Sequence, residues 1–174
     1  MYAGRRSPVA NISIHPLTID DQEWVSQFIL KHWGSNMVVS RGVIYYPQHL
    51  PGFVALHENE KVGLVTYNII GASCEIVTIN SIRPSSGVGT ALIEAARDIA
   101  LQSGCNRLWL ITTNDNLNAL RFYQKRGFVL AALHRNALEL SRRLKPEISL
   151  IGDNGIPLRD EIELEMILDD TASQ

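Results

Sequence analysis

Glu75 stands in the run Cys74-Glu75-Ile76-Val77-Thr78-Ile79-Asn80, and the chain then turns through Ser85-Ser86-Gly87-Val88-Gly89-Thr90 into an apolar, helix-spaced stretch. The run reads as a strand with Glu75, Val77 and Ile79 on one face and Ile76, Thr78 and Asn80 on the other. A carboxylate on so apolar a strand is costly to enclose unless it has a partner or a task. Enclosure raises its pKa toward neutrality, which suits a base that takes a proton from an ammonium group through water. A solvent-facing or salt-bridged glutamate is the competing account. In the turn, two glycines let the backbone fold sharply, and the first free N–H groups of the helix point outward, where they suit an anion such as a phosphate.

Two familiar phosphate loops do not fit. A Walker loop needs Lys and then Ser or Thr after its last glycine, and here Thr90-Ala91 follows Gly89. A dinucleotide fingerprint needs a third glycine where Leu92 stands, in a repeated strand–helix pattern that this chain lacks.

The elements that position these groups follow from periodicity and turn residues. A short strand near Ile12–Leu17 precedes a helix over about 20–33, with Trp24, Val25, Phe28 and Ile29 as its stripe. Residues 37–52 hold two stretches apolar enough for strand fragments, 37–39 and 43–46, interrupted by Arg41-Gly42, Pro47 and Pro51-Gly52, and read as a partly irregular segment over the sheet. Strands at 53–57 and 61–70 form a hairpin that meanders into the Glu75 strand. The helix after the glycine turn carries Val88, Leu92, Ala95, Ala96 and Ile99 on one stripe. Residues 107–112 read as a strand buried on both faces, followed by a helix from 116 to about 126 and a strand at 128–131. A short helix at 134–144 and a loop at 145–157 lead to the last strand. There Ile162, Leu164, Met166 and Leu168 alternate with Glu161, Glu163 and Glu165, which predicts one buried face and one acidic, wet one. The pattern predicts an α+β type α/β domain over 12–170 behind a flexible leader at 1–11. Its mixed, mostly antiparallel sheet has about six or seven strands flanked by helices.

Of 174 residues, 45% are hydrophobic and 20% charged, with a net charge of −2. That balance argues against a broad nucleic-acid face, and no segment reads as a membrane span. Cys74 and Cys105 form no metal or redox spacing, and the five histidines are scattered, so no metal site is expected. A cytoplasmic protein with reduced thiols is the default.

The glycine turn resembles the central motif of the GNAT superfamily of acetyl-CoA-dependent N-acetyltransferases. In that family a bulged strand leads to a Q/R-x-x-G-x-G/A turn and helix, matched here by Pro84-Ser85-Ser86-Gly87-Val88-Gly89. A second stretch, Asn116-Leu117-Asn118-Ala119-Leu120-Arg121-Phe122-Tyr123-Gln124-Lys125-Arg126-Gly127-Phe128, is similar to the family's N-x-x-A-x-x-x-Y-x-x-x-G-F pattern. Element order agrees over roughly residues 10–133.

The resemblance implies acetyl-CoA as co-substrate and a small-molecule or peptide amine as acceptor. Glu75 is then the general base and Tyr123 the acid that protonates the departing CoA thiolate. Ile79, Asn80 and Ser81 carry the pantetheine amides on their backbone, while Ser85, Ser86, Gly87, Val88, Gly89 and Thr90 hold the diphosphate. Asn116 contacts the pantetheine arm, caps its helix, or does both. Pro84 replaces the family's Arg or Gln, which predicts a weaker electrostatic grip, with Arg83 as a nearby source of charge. Lys125 and Arg126 are placed to approach the nucleotide phosphate, but two cations in a last helical turn are explained by the dipole alone, and that reading is preferred; Arg142, Arg143 and Lys145 are explained by a solvated face. Trp33, Arg41, Tyr45, Tyr46 and His49 lie where the family builds its acceptor pocket, and the 134–157 connection can lid it. A non-catalytic acyl-CoA-binding module is the alternative function, and a homodimer is left possible.

Overall fold

The computed structural model describes residues 11–168, so all of the expected leader except Asn11, and the stretch beyond Leu168, lie outside the described residues. The chain runs β1 (Ile12–Pro16), α1 (Gln22–Trp33), β2 (Val38–Ser40), β3 (Val43–Tyr45), β4 (Gly52–His57), β5 (Glu60–Ile70) and β6 (Ser73–Ser81). It continues through α2 (Val88–Gln102), β7 (Arg107–Thr113), α3 (Leu117–Gln124), β8 (Val129–His134), α4 (Ala137–Leu144) and β9 (Glu161–Ile167). Local signals set these bounds. Asp21 accepts from both the Thr18 N–H and hydroxyl at the entry to α1, and Gly34, in the left-handed region, ends it.

Seven strands form one sheet in the order β1-β4-β5-β6-β7-β9-β8. Every neighbouring pair is antiparallel except β6 and β7, which α2 joins as a crossover. The mixed, mostly antiparallel sheet expected from the sequence is therefore the one observed. One face packs on α2 and α3 through a core that includes Cys74, Ile76, Leu92, Ala96, Leu108 and Leu110. The other packs on α1 and β2 through Val25, Phe28, Ile29, Val38, Leu64 and Val77.

Two irregularities build the site. The parallel ladder runs only from Ser73–Arg107 to Ile76–Leu110, after which β6 and β7 continue without pairing and form a fork. A bulge at Val77 lets Thr66 face Thr78 while Tyr67 faces Ile76. The bulge overturns simple alternation along β6. Val77 packs toward α1, but Ile79 beyond it joins Cys74 and Ile76 against the α2 core.

One further reading is sharpened, the strand fragments at 37–39 and 43–46 proving to be a pair, and one is corrected. Residues 38–45 form a regular hairpin, β2 with β3, turned by Arg41 and Gly42 at positive φ. The acidic face of β9 is not wet. The layer holding α4 and the β2–β3 hairpin covers it, Glu161 is buried, and Arg107 pairs with Glu163 and, at 2.5 Å, with Glu165.

Candidate active site

At the open end of the fork, the backbone enters α2 through Ser85 and Gly87, with φ of 61° and 85°. That left-handed geometry costs an L side chain about 1–2 kcal/mol and a glycine little. The first intrahelical acceptor in α2 is Gly87, which takes the Ala91 N–H, so the amides of Val88, Gly89 and Thr90 precede the helical ladder. No side chain caps this end and no acid stands in its first turn. The result is a positive helix terminus open to an anion.

A cavity of about 440 Å³ lies over this terminus, between the free edge of β6 and α3. It gathers most of the residues that the sequence nominated: Ile79, Asn80, Ser81, Ser85, Gly87, Gly89, Thr90 and Tyr123. Ser86, Val88 and Asn116 are not among its lining. The Ser86 hydroxyl donates to the Arg83 carbonyl at 2.6 Å, and the Val88 side chain is buried against Gly63. Asn116 caps α3, its Oδ1 accepting the Ala119 N–H at 3.0 Å. Gly89 has a packing reason as well: a Cβ there would stand 2.9 Å from the Phe122 ring.

Two guanidinium groups stand on the cavity wall that includes Pro84. Arg126 lines the cavity and donates from Nε and Nη2 to Thr90 Oγ1 at 2.9 and 2.8 Å, with its guanidinium 3.5 Å above the Phe122 ring. Arg83 lines the same wall, 3.0 Å from His57 Nδ1. Of the two readings weighed for Arg126, the dipole partner alone does not account for its place on the cavity wall. The available signal was its position three residues after Tyr123, which puts both on one side of the chain.

Tyr123 is 8% exposed, and burial pushes its phenol well above the usual tyrosine range. It packs edge-on against Phe122 and Phe128. No hydrogen bond of its hydroxyl is formed among the described residues, and the side chain lines the cavity.

Glu75 belongs to the opposite face of the sheet. It is 5% exposed, with Oε1 accepting from Ser40 Oγ at 2.7 Å and Oε2 from the Tyr45 hydroxyl at 2.9 Å. Burial raises its carboxyl pKa, the two hydroxyl bonds oppose that, and the charges of Glu163 and Glu161 add to it. Tyr45 is in turn pushed up to about 12, first by burial and then by Glu75.

Ser40 connects Glu75 to a second cavity of about 240 Å³. Its floor is the fork itself, with Ile76 and Val77 on one prong and Ile111, Thr112 and Thr113 on the other. Trp33 lines it, as do Leu138, Ser141, Lys145 and Ile148 from the 134–157 connection, so that connection is a wall of this cavity. Lys145 is thus no solvated cation: burial lowers its pKa, and its Nζ donates to the Met37 carbonyl at 3.0 Å. Arg142 is also engaged, donating to the carbonyls of Ile148, Ser149 and Leu158. Of the other nominated residues, Tyr46 is exposed and His49 lines a separate hollow beside α1. Glu161 completes the wall, a residue that its place in an alternating acidic run concealed.

The chain as a whole has counterparts among known proteins. Residues 21–128 match the family described as the Acetyltransferase (GNAT) family. YdhI of Bacillus subtilis (strain 168), an uncharacterised protein, is 46% identical over 147 residues, which is 83% of this chain and 91% of that protein. YxbD of the same organism, also uncharacterised, is 45% identical over 155 residues, 88% of this chain and 97% of that one. Among solved structures, an IAA acetyltransferase from Bacillus cereus ATCC 14579 has the same fold, with a TM-score of 0.72 at 24% identity over 91% of this chain and 100% of that one. A GNAT family acetyltransferase from Elizabethkingia anophelis with acetyl-CoA bound superposes with a TM-score of 0.65 at 22% identity, over 91% and 99% of the two chains. On the match across residues 21–128 and the two relatives, this chain belongs to the GNAT acetyltransferase family.

Proposed function

We propose that the protein is an N-acetyltransferase that moves an acetyl group directly from acetyl-CoA to a primary amine within a ternary complex. The observation that carries this reading is the fork, which opens onto a cavity on each face of the sheet. The diphosphate lies over the amides of Val88, Gly89 and Thr90 beside Arg126 and Arg83, and the pantetheine arm runs along the unpaired edge at Ile79–Ser81. The thioester then sits in the fork, and the amine reaches it from the second cavity.

A primary amine has a pKa near ~10 and arrives protonated. Its first proton passes to the Ser40 hydroxyl as that hydroxyl gives its own to Glu75. The freed nitrogen pair forms the N–C bond to the thioester carbon. As the C–S bond breaks, the nitrogen sheds its second proton to solvent, and Tyr123 protonates the sulfur and recovers a proton from water. One proton is released in sum. The raised phenol pKa keeps Tyr123 in its acid form at neutral pH. The proposed compartment is the cytosol; no described helix is long and apolar enough to cross a membrane.

Glu75→Gln tests the reading through thiol release from acetyl-CoA against an amine panel. Loss of general-base help is expected to lower kcat by about 10²–10⁴-fold, with acetyl-CoA affinity retained. Because the base must be ionised, wild-type kcat rises with pH through the raised Glu75 pKa, and the variant lacks that limb. A variant with the wild-type rate and pH profile removes Glu75 from the mechanism. A wild type that binds acetyl-CoA and turns over with no amine is instead a non-catalytic acyl-CoA-binding module.

A further inference from the structure

The second cavity holds two ionisable side chains that the transfer chemistry leaves without a role, Glu161 and Lys145. Glu161 is 2% exposed; its Oε2 is closed to solvent and has no hydrogen-bond partner among the described residues. Its Oε1 has the Ser141 hydroxyl at a long 3.4 Å. Burial raises the Glu161 pKa, opposed first by the backbone N–H of Arg41, which approaches the carboxyl without reaching hydrogen-bonding geometry, and then by the Arg41 charge, the Ser141 hydroxyl and the His134 charge. A buried carboxylate short of donors is destabilising, so its retention in a cavity wall points to a ligand that donates to the carboxyl group. The proximity of Arg41's backbone puts the preceding Ser40 close by, and Ser40 leads to Glu75.

Lys145 offers the opposite charge. An ammonium has three donors, and this one gives one to Met37 O, leaving the others for a ligand. Lys145 follows the last residue of α4, its backbone N–H donating to the Ser141 carbonyl at 2.8 Å, and the Ser141 hydroxyl in turn touches Glu161. Apolar walls from Val38, Val77, Ile111 and Ile148 surround the pair. The two charges sum to zero, so a diamine would set a second cation against Lys145 and a dicarboxylate would meet Glu161.

We infer that this cavity takes a small amino-carboxylate, a free amino acid or close analogue, with its ammonium on Glu161 and its carboxylate on Lys145; the inference rests on the acetyl-transfer reading above. Glu161 is the positioning residue that holds the nitrogen beside Ser40. Glu75 remains the proton acceptor. The volume of about 240 Å³ suits such a molecule and excludes the surface of a folded protein.

Steady-state kinetics with acetyl-CoA and matched acceptors test it: phenylalanine against phenethylamine, valine against isobutylamine, with putrescine as the diamine. Each amino acid is expected to exceed its carboxylate-free partner and putrescine at least tenfold in kcat/KM. Glu161→Gln should raise the amino-acid KM at least tenfold and leave the KM for acetyl-CoA unchanged. Lys145→Met should erase the preference for the carboxylate. A wild type that prefers the plain amine or the diamine, or a Glu161→Gln variant with unaltered acceptor KM, overturns the assignment. Calorimetric titration of phenylalanine into the CoA-saturated protein separates this failure from that of the transfer reading. If no amine is acetylated, binding to the wild type that Glu161→Gln abolishes still supports the cavity assignment, and no binding to either ends it.

Discussion

The two faces of the fork are built from opposite materials. On the α2 face, the cavity is made of main-chain amides, a free strand edge and residues from two short stretches, 79–90 and 118–126. On the α1 face, the cavity draws side chains from Trp33, β2, both prongs of the fork, α4, the following connection and β9. The first face presents an unanswered positive terminus with two guanidinium groups beside it. The second presents buried carboxylates, one satisfied by two hydroxyls and one with a single long hydroxyl bond and an oxygen without a partner among the described residues. A cofactor with a constant shape can be held by backbone geometry, which depends little on side chains. An acceptor has to be recognised by side chains, and those come from wherever the fold delivers them.

Glu161 gives the largest expected energetic signature of that difference. Its folded pKa is raised, so the folded chain holds its proton to higher pH than the unfolded chain. Stability is therefore lost as pH rises from the ordinary glutamate range through the folded pKa, and the penalty stands in full above it. Glu161→Gln is isosteric and removes the buried charge. It should stabilise the protein by about 1–3 kcal/mol at pH 8, with the gain shrinking toward pH 4, in urea melts at both pH values. A variant less stable than wild type at pH 8 would mean that Glu161 is a structural carboxylate. The expected opposition, more stability with weaker acceptor binding, is the trade-off of a site that keeps an unpaired group for its ligand.

The same contrast explains what the sequence made legible. The glycine turn and the Asn116–Phe128 stretch are local, so element order, the turn geometry and the placing of Tyr123 could all be read from neighbouring residues. Val77 could not. A bulge depends on the register with β5, and it moved Ile79 to the other face from the one that strict alternation assigns. Glu161 and Lys145 read as solvent-facing because nothing within a few residues reveals that α4 and β2 cover them. The 134–157 connection was visible as unusually long, but its cavity contacts arise from pairings with residues about a hundred positions away, such as Lys145 with Met37.

On the cofactor face the corresponding test is Arg126→Ala. Arg126 grips Thr90 in the first turn of α2, stacks on Phe122 and lines the cavity where the diphosphate is placed. Losing one charge-assisted contact of about 1.4 kcal/mol corresponds to tenfold in affinity. The acetyl-CoA Kd should rise by about that factor, and the difference from wild type should narrow at high salt, where charge is screened. An unchanged Kd would return Arg126 to a cation that merely completes its own helix.

The smallest effect separates the two helix termini that border this cavity. The start of α2 is uncapped and open, whereas Asn116 closes the start of α3 by accepting the Ala119 N–H. If Asn116 is a cap alone, Asn116→Ala should cost about 1 kcal/mol of stability while the acetyl-CoA Kd stays within about twofold of wild type. Chemical denaturation and cofactor titration on the same preparation read both quantities. A tenfold weaker Kd with unchanged stability would assign Asn116 to the pantetheine arm. The expected result leaves the N–H groups of α2 as the only helix terminus, among those lining this cavity, that the fold keeps free for a ligand, because α3 has already used its own side chain to satisfy itself.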